Sequence, residues 1–112
     1  MLKPISATAT IATSGTTSGA VELNGLAVVG LYTPSTFDGT TITFTACDTI
    51  DGTYVALATP ASGTTYSITV TASRFYYLDR TIFFGARYIK AVAGSAQTTT
   101  DTILTFMLAQ VD

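Results

Sequence analysis

The sequence predicts an all-β protein, a two-sheet antiparallel sandwich of about eight short strands wired as a jelly roll. Apolar and polar residues alternate with a period of two in segment after segment. These segments are separated by turns rich in Gly, Asn, Asp, Pro and Ser. Two connections, 33–39 and 73–85, are too long for hairpins; strands that cross between sheets need such lengths, whereas an up-and-down barrel turns tightly throughout.

The elements follow in order. Ile5, Ala7, Ala9 and Ile11 alternate with Ser6, Thr8 and Thr10, giving a first strand over 5–11. SGTTSG, residues 14–19, is a polar loop that could serve as a joint. Residues 20–23 form a short strand, and Asn24-Gly25 is the dipeptide that best tolerates positive φ at both positions, so it predicts a tight hairpin into 26–32. In that arm Leu26, Val28 and Gly30 oppose Ala27, Val29 and Leu31, so both rows are apolar and one needs a cover outside the core. Pro34 ends the strand, and Phe37 plugs the connection that follows.

Thr40 to Leu57 is the centre of the pattern. Ile42, Phe44 and Ala46 point one way and Thr41, Thr43 and Thr45 the other. The stretch Asp48–Gly52 reverses the chain, with Asp48 and Asp51 placed to cap backbone N–H groups. Tyr66, Ile68 and Val70 mark a sixth strand. Residues 73–86 lack a sustained period of two and gather five aromatics among Arg74, Asp79 and Arg80, which predicts a long ordered connection with a helical turn over 79–83, stopped at Gly85. A strand over 87–92, a loop through Asp101 and a last strand over 102–111 complete the chain. In the last strand Ile103, Met107, Ala109 and Val111 oppose Leu104, Phe106 and Leu108, again apolar on both faces.

The 112 residues are expected to form a single domain, 1–112, with 1–19 as an arm that pairs in its own subunit or reaches into a neighbour. Charged residues are 11% and hydrophobic ones 47%, so solubility falls to Thr, Ser and small side chains. A net charge of -2 offers no field to attract nucleic acid or an anionic membrane, and neither is expected as a partner. The amino terminus lacks the apolar run of a signal peptide, and no stretch approaches the roughly 20 apolar residues of a membrane helix, which predicts a protein made in the cytoplasm. Cys47 has no partner for an internal disulfide and reads as a small buried hydrophobe.

Catalysis is not expected. The chain has no histidine, and so lacks the usual base, the usual partner of a Ser or Cys nucleophile and the commonest metal ligand. Asp48 and Asp51 are close enough in sequence for a two-carboxylate glycosidase, but their turn context favours capping, and the further carboxylates of a calcium loop are missing. No phosphate-cradling glycine motif occurs. No cofactor or metal is expected. Arg74, Arg80, Arg87 and Lys90 lie among Phe75, Tyr76, Tyr77 and Tyr88. With a negative net charge, that mixture suits a protein interface better than single-stranded nucleic acid.

The stretch SGAVELNGLAVVGLYTPSTFDGTTITFTACDTIDGTYVAL together with FFGARYIKAVAG resembles the small jelly-roll cement or decoration proteins of tailed bacteriophage heads, over about residues 18–94. The resemblance implies a structural virion protein on the outer surface of the capsid, commonly a trimer, bridging subunits of the major capsid protein. It transfers no functional residue. From the residues themselves, the faces carrying Ala27, Val29, Leu31, Tyr32, Leu104, Phe106 and Leu108 are expected to form a homo-oligomer interface, and Arg74, Phe75, Tyr76, Arg80 and Arg87 a shell contact. Related sandwiches occur in phage tails, so the alternative is a receptor- or carbohydrate-binding module using Tyr32, Tyr54 or Tyr76 as stacking platforms.

Overall fold

A computed structural model describes residues 4–110 and is all-β apart from one 3₁₀ turn. Nine strands are formed: β1 Ile5–Ile11, β2 Val21–Glu22, β3 Ala27–Tyr32, β4 Thr41–Cys47, β5 Val55–Ala56, β6 Ser67–Thr69, β7 Phe75–Tyr77, β8 Tyr88–Ala93 and β9 Thr102–Ala109. They lie in two antiparallel sheets. One has the order β1-β9-β3-β7; the other has the order β2-β8-β4-β5, with β6 also paired to β4. The pairs β1–β9, β2–β8, β3–β7 and β4–β5 are nested, the wiring expected when one long antiparallel ribbon rolls up; the chain passes from sheet to sheet both in long connections such as 33–40 and in the tight turn between β2 and β3.

The alternating rows place the core. Ile42 and Phe44 of β4 and Ile89, Ala91 and Ala93 of β8 face Leu104, Phe106 and Leu108 of β9 and Val28 and Leu31 of β3, all buried. Phe44 joins the two sheets: its ring meets Phe106 at 6.5 Å and Phe83 at 5.2 Å, both edge to face, and stacks on Tyr66 at 6.1 Å. Phe37 is the plug its sequence context predicted.

Several expectations are corrected. Asn24 (φ 53°) and Gly25 (φ 80°) do form a tight turn, closed by Leu26 N–H donating to Leu23 C=O at 2.9 Å, but no hairpin results. β2 pairs with β8 and β3 with β9, so the turn sends the chain across the sandwich. Residues 75–77, expected inside a connection, form β7 on the edge beside β3. The helical turn that follows is the 3₁₀ turn Arg80–Phe83, capped by Asp79, which accepts from Thr81 N–H at 3.0 Å, with Gly85 at φ 82° beyond it.

SGTTSG is not a loose joint. Ser14 N–H donates to Gln97 C=O at 2.6 Å and Ser18 N–H to Ala91 C=O at 2.9 Å, while Thr16 C=O accepts from Ala93 N–H at 2.8 Å. The loop is sewn to β8 and to the 95–101 loop because its backbone groups find partners there. Asp48 and Asp51 cap no backbone N–H among the described residues; Gly52 N–H donates to Thr49 C=O and the Tyr54 hydroxyl to Ile50 C=O instead. Cys47 is half-buried on the outward row, near Asp48 and Thr49, rather than in the core.

Candidate functional site: the outer face of the four-stranded sheet

The two sheets differ on their outer faces. On the five-stranded sheet, Thr41, Thr43 and Thr45 project outward with Lys90 and Tyr88 opposite Thr45 and Cys47. There Lys90 Nζ sits 4.2 Å from the centre of the Tyr54 ring, and the Tyr88 hydroxyl donates to Glu22 at 3.3 Å. This face is polar along β4 and β8, although Val55 on β5 is 63% exposed.

The outer face of the four-stranded sheet is apolar over β9, β3 and β7. Register sets its rows: Thr8, Thr105, Tyr32 and Phe75 lie side by side across four strands, and Ser6, Met107, Gly30 and Tyr77 form the next row. Ile103 stands beside Thr10 in a third. Tyr77 is 88% exposed, and Tyr32, Phe75 and Ile103 are each about half exposed. None of these residues is charged. At about 200 Å² for a whole aromatic side chain, the open part of these four residues comes to roughly 500 Å², a size at which apolar patches mark interaction surfaces.

Gly30 makes the arrangement possible. Phe75 lies over it, packed against Tyr32 with ring centres 4.5 Å apart, and a Cβ on residue 30 would fall 2.4 Å from the Phe75 ring.

The residues expected to form the oligomer interface are only partly here. Leu104, Phe106, Leu108 and Leu31 are core residues with 0–2% exposure, and Ala27 is buried at 1%. All five are therefore unavailable as a surface. Their strands are two-faced as expected, but the core takes the other row. A bulge between Val28 and Gly30 shifts the register, so Val28 and Leu31 both face inward although three positions apart. Val29 is half-buried, and only Tyr32 of the expected set presents an open aromatic surface.

The expected shell contacts are also divided. Phe75 belongs to the patch, but Tyr76, next to it in β7, points inward, and its hydroxyl accepts from Thr71 N–H at 2.7 Å. Arg74 is exposed at the end of β7, its guanidinium donating to Ser73 C=O at 3.2 Å. Arg80 is exposed on the 3₁₀ turn. Arg87 lines a shallow cleft of about 520 Å³ with Glu22, Asn24 and Phe84, and its guanidinium lies 5.7 Å from the Tyr88 ring. Tyr77 and Ile103 were in neither set, although Ile103 belongs to the outward row of a strand whose alternation was legible.

A second cleft, of about 400 Å³, opens between β6 and β7, lined by Tyr66, Ile68, Tyr76 and Tyr77. Burial, with the Asp79 carboxylate adding to it, holds the Tyr66 phenol above its ordinary pKa. The described residues include no group of three His, Cys, Asp or Glu side chains that could hold a metal ion, and no helix among them is long and apolar enough to cross a membrane.

No family model matches the chain, and no curated protein does. Among solved structures, the chain is similar to the SPBc2 prophage-derived protein YomS, with a TM-score of 0.59 and 16% identity over 97% of each chain. The likeness shows a shared fold across the whole of both chains, in a protein of phage origin.

Proposed function

We propose that the protein is a structural component of a phage particle, a capsid cement or decoration protein that binds the outer surface of the head and stabilises it across the seams between capsid subunits. The observation that carries this reading is the uncharged aromatic face of Tyr32, Phe75 and Tyr77 on a sandwich whose opposite face is polar along β4 and β8. The resemblance of residues 18–94 to cement proteins and a fold shared with a prophage-derived protein support it. Its partners are the major capsid protein and further copies of itself, in threefold assembly on the shell as the resemblance implies. The role needs neither catalysis nor a cofactor.

Packaged DNA presses the shell outward, and subunits part only if the clamp across their seam is also torn away. A standard interface removes about 800 Å² from each partner. The aromatic patch falls short of that, so its rim must join the contact, with Arg74 beside Phe75 among it. Several copies acting together multiply a weak contact through effective concentration.

The test is rebinding to heads stripped of the protein. Phe75→Ser with Tyr77→Ser should weaken rebinding at least tenfold, the loss expected when central aromatic anchors are removed. Arg74→Glu should weaken it less. Undiminished rebinding of the double variant would remove the aromatic face from the shell contact. The same rings could stack on a sugar in a tail-associated module, so a glycan array is the companion measurement. Glycan binding without binding to heads would replace this reading by that one.

A further inference from the structure

The four-stranded sheet ends at β1, whose outer edge pairs with no strand along Ser6–Thr8. β1 pairs with β9 along its inner edge, from Ile5 opposite Leu108 to Ile11 opposite Thr102. In an antiparallel ladder, successive residues direct their backbone N–H and C=O alternately to the two sides. Thr10 C=O accepts from Gly19 N–H at 3.2 Å, on the side away from β9. By alternation Ser6 and Thr8 also face away from β9; β2 lies near β1, but neither it nor any other described residue hydrogen-bonds the backbone of Ser6 or Thr8. Thr10 N–H faces the same way, so three donors and two acceptors stand open over Ser6–Thr10, a run without charge or proline.

We propose that β1 pairs with β1 of a second copy, antiparallel, about a twofold axis through Ala7. This register sets Ser6 opposite Thr8 of the other copy, and each such pair exchanges two hydrogen bonds. The four open groups of Ser6 and Thr8 in each strand are then satisfied by four bonds. Ala7 meets its own copy at the axis, where the small side chain fits the closer spacing of a non-hydrogen-bonded pair. Ile5, 54% exposed, comes opposite Ala9. Pro4, which has no N–H, comes opposite Thr10, whose C=O is already taken by Gly19. At this last pair only Thr10 N–H is left open, with Pro4 C=O across from it.

Registers shifted by one residue, or with the axis at Thr8, fail on the same evidence. An axis at Thr8 would bring Ser6 opposite Thr10 and drive the incoming strand into Ser18, which already bridges to Ile11. Shifting by one residue would face the Ser6 and Thr8 groups with residues whose own groups are turned to β9.

The inference concerns a twofold contact of the free protein, separate from both the threefold assembly and the shell contact of the proposed function. Sedimentation over roughly 10–500 µM should show a dimer. Thr8→Pro removes an N–H that β9 does not use, so it should keep the fold by circular dichroism and raise the dimer dissociation constant at least tenfold. With Cys47→Ala as background, Ala7→Cys should crosslink on mild oxidation, since about 4.5 Å between Cα atoms suits a disulfide. Thr8→Cys in that background should crosslink far less.

Three results would overturn the pairing. They are a wild-type dimer that Thr8→Pro leaves intact, stronger crosslinking at Thr8 than at Ala7, or a trimer in solution that neither variant alters. Each of those leaves self-association standing. A monomer throughout the range, with no crosslink at Ala7, would remove both self-association and the edge contact, and would leave the shell contact to be judged by the rebinding experiment.

Discussion

Gln97 is fully buried, and among the described residues its side-chain amide makes the most hydrogen bonds. Its Nε2 donates to Asp38 C=O at 2.8 Å and Ser95 C=O at 3.2 Å, and its Oε1 accepts from Asp38 N–H at 2.9 Å and the Thr102 hydroxyl at 2.7 Å. Its backbone also binds Ser14 and Gly15. One side chain thus ties the 33–40 connection to the start of β9. Gln97→Leu keeps the volume and orphans several buried groups, so it should cost about 2–4 kcal/mol in urea unfolding. Thr45 is the opposite case: its buried hydroxyl has no partner. Thr45→Val keeps the shape and removes the orphan, and should raise stability by about 1 kcal/mol in the same measurement.

Two exposed carboxylates give the acid limb of stability. The Thr81 hydroxyl and N–H hold Asp79 below the ordinary carboxylate pKa, and Thr13 N–H and its hydroxyl do the same for Asp101. A group lowered in the folded state stabilises it above the unfolded pKa, near 3.9, and loses that contribution as pH falls through the folded value. Melting temperature should therefore drop below about pH 4. Asp79→Asn with Asp101→Asn should flatten that drop and leave the neutral-pH slope unchanged. An acid limb that is no shallower in the double variant would assign it elsewhere.

At the scale of elements, what the sequence made legible was alternation. β1, β4 and β9 were readable because their rows stay in phase, and Ile42, Phe44, Leu104 and Phe106 are core as period two requires of one row or the other. Which row turns inward on a strand apolar on both sides is not local information. In β9 it depends on β1 and β3 presenting Ala7 and Leu31 opposite Phe106. The bulge at Val29 lies beyond a period-two reading too, because it breaks the phase it would have to be inferred from. β7 was hidden because three residues cannot show a period, and its evidence is Gly30, a partner over 40 positions away. Gly30→Ala should displace Phe75 from its seat. The expected readout is a loss of about 1 kcal/mol and an altered aromatic near-ultraviolet signal, with the far-ultraviolet spectrum kept.

For the whole molecule, the division of labour between the two sheets decides what kind of contact it can make. The five-stranded sheet shows Thr, Lys and Tyr to water along β4 and β8, and the four-stranded sheet shows rings, aliphatic side chains and Ser and Thr hydroxyls without a charge among them. With a net charge of -2, long-range attraction contributes little. If the aromatic face carries the contact with the head, raising salt from 50 to 500 mM should change retention by less than about threefold, since desolvation of apolar surface is not screened as exposed charge pairs are. If Arg74, Arg80 and Arg87 carry it instead, retention should fall by an order of magnitude or more over the same range, and the Ser variants of Phe75 and Tyr77 should matter little. The salt series and the serine variants therefore have to agree: a steep salt dependence combined with insensitivity to both substitutions would move the contact from the sheet face to the arginines around the 3₁₀ turn.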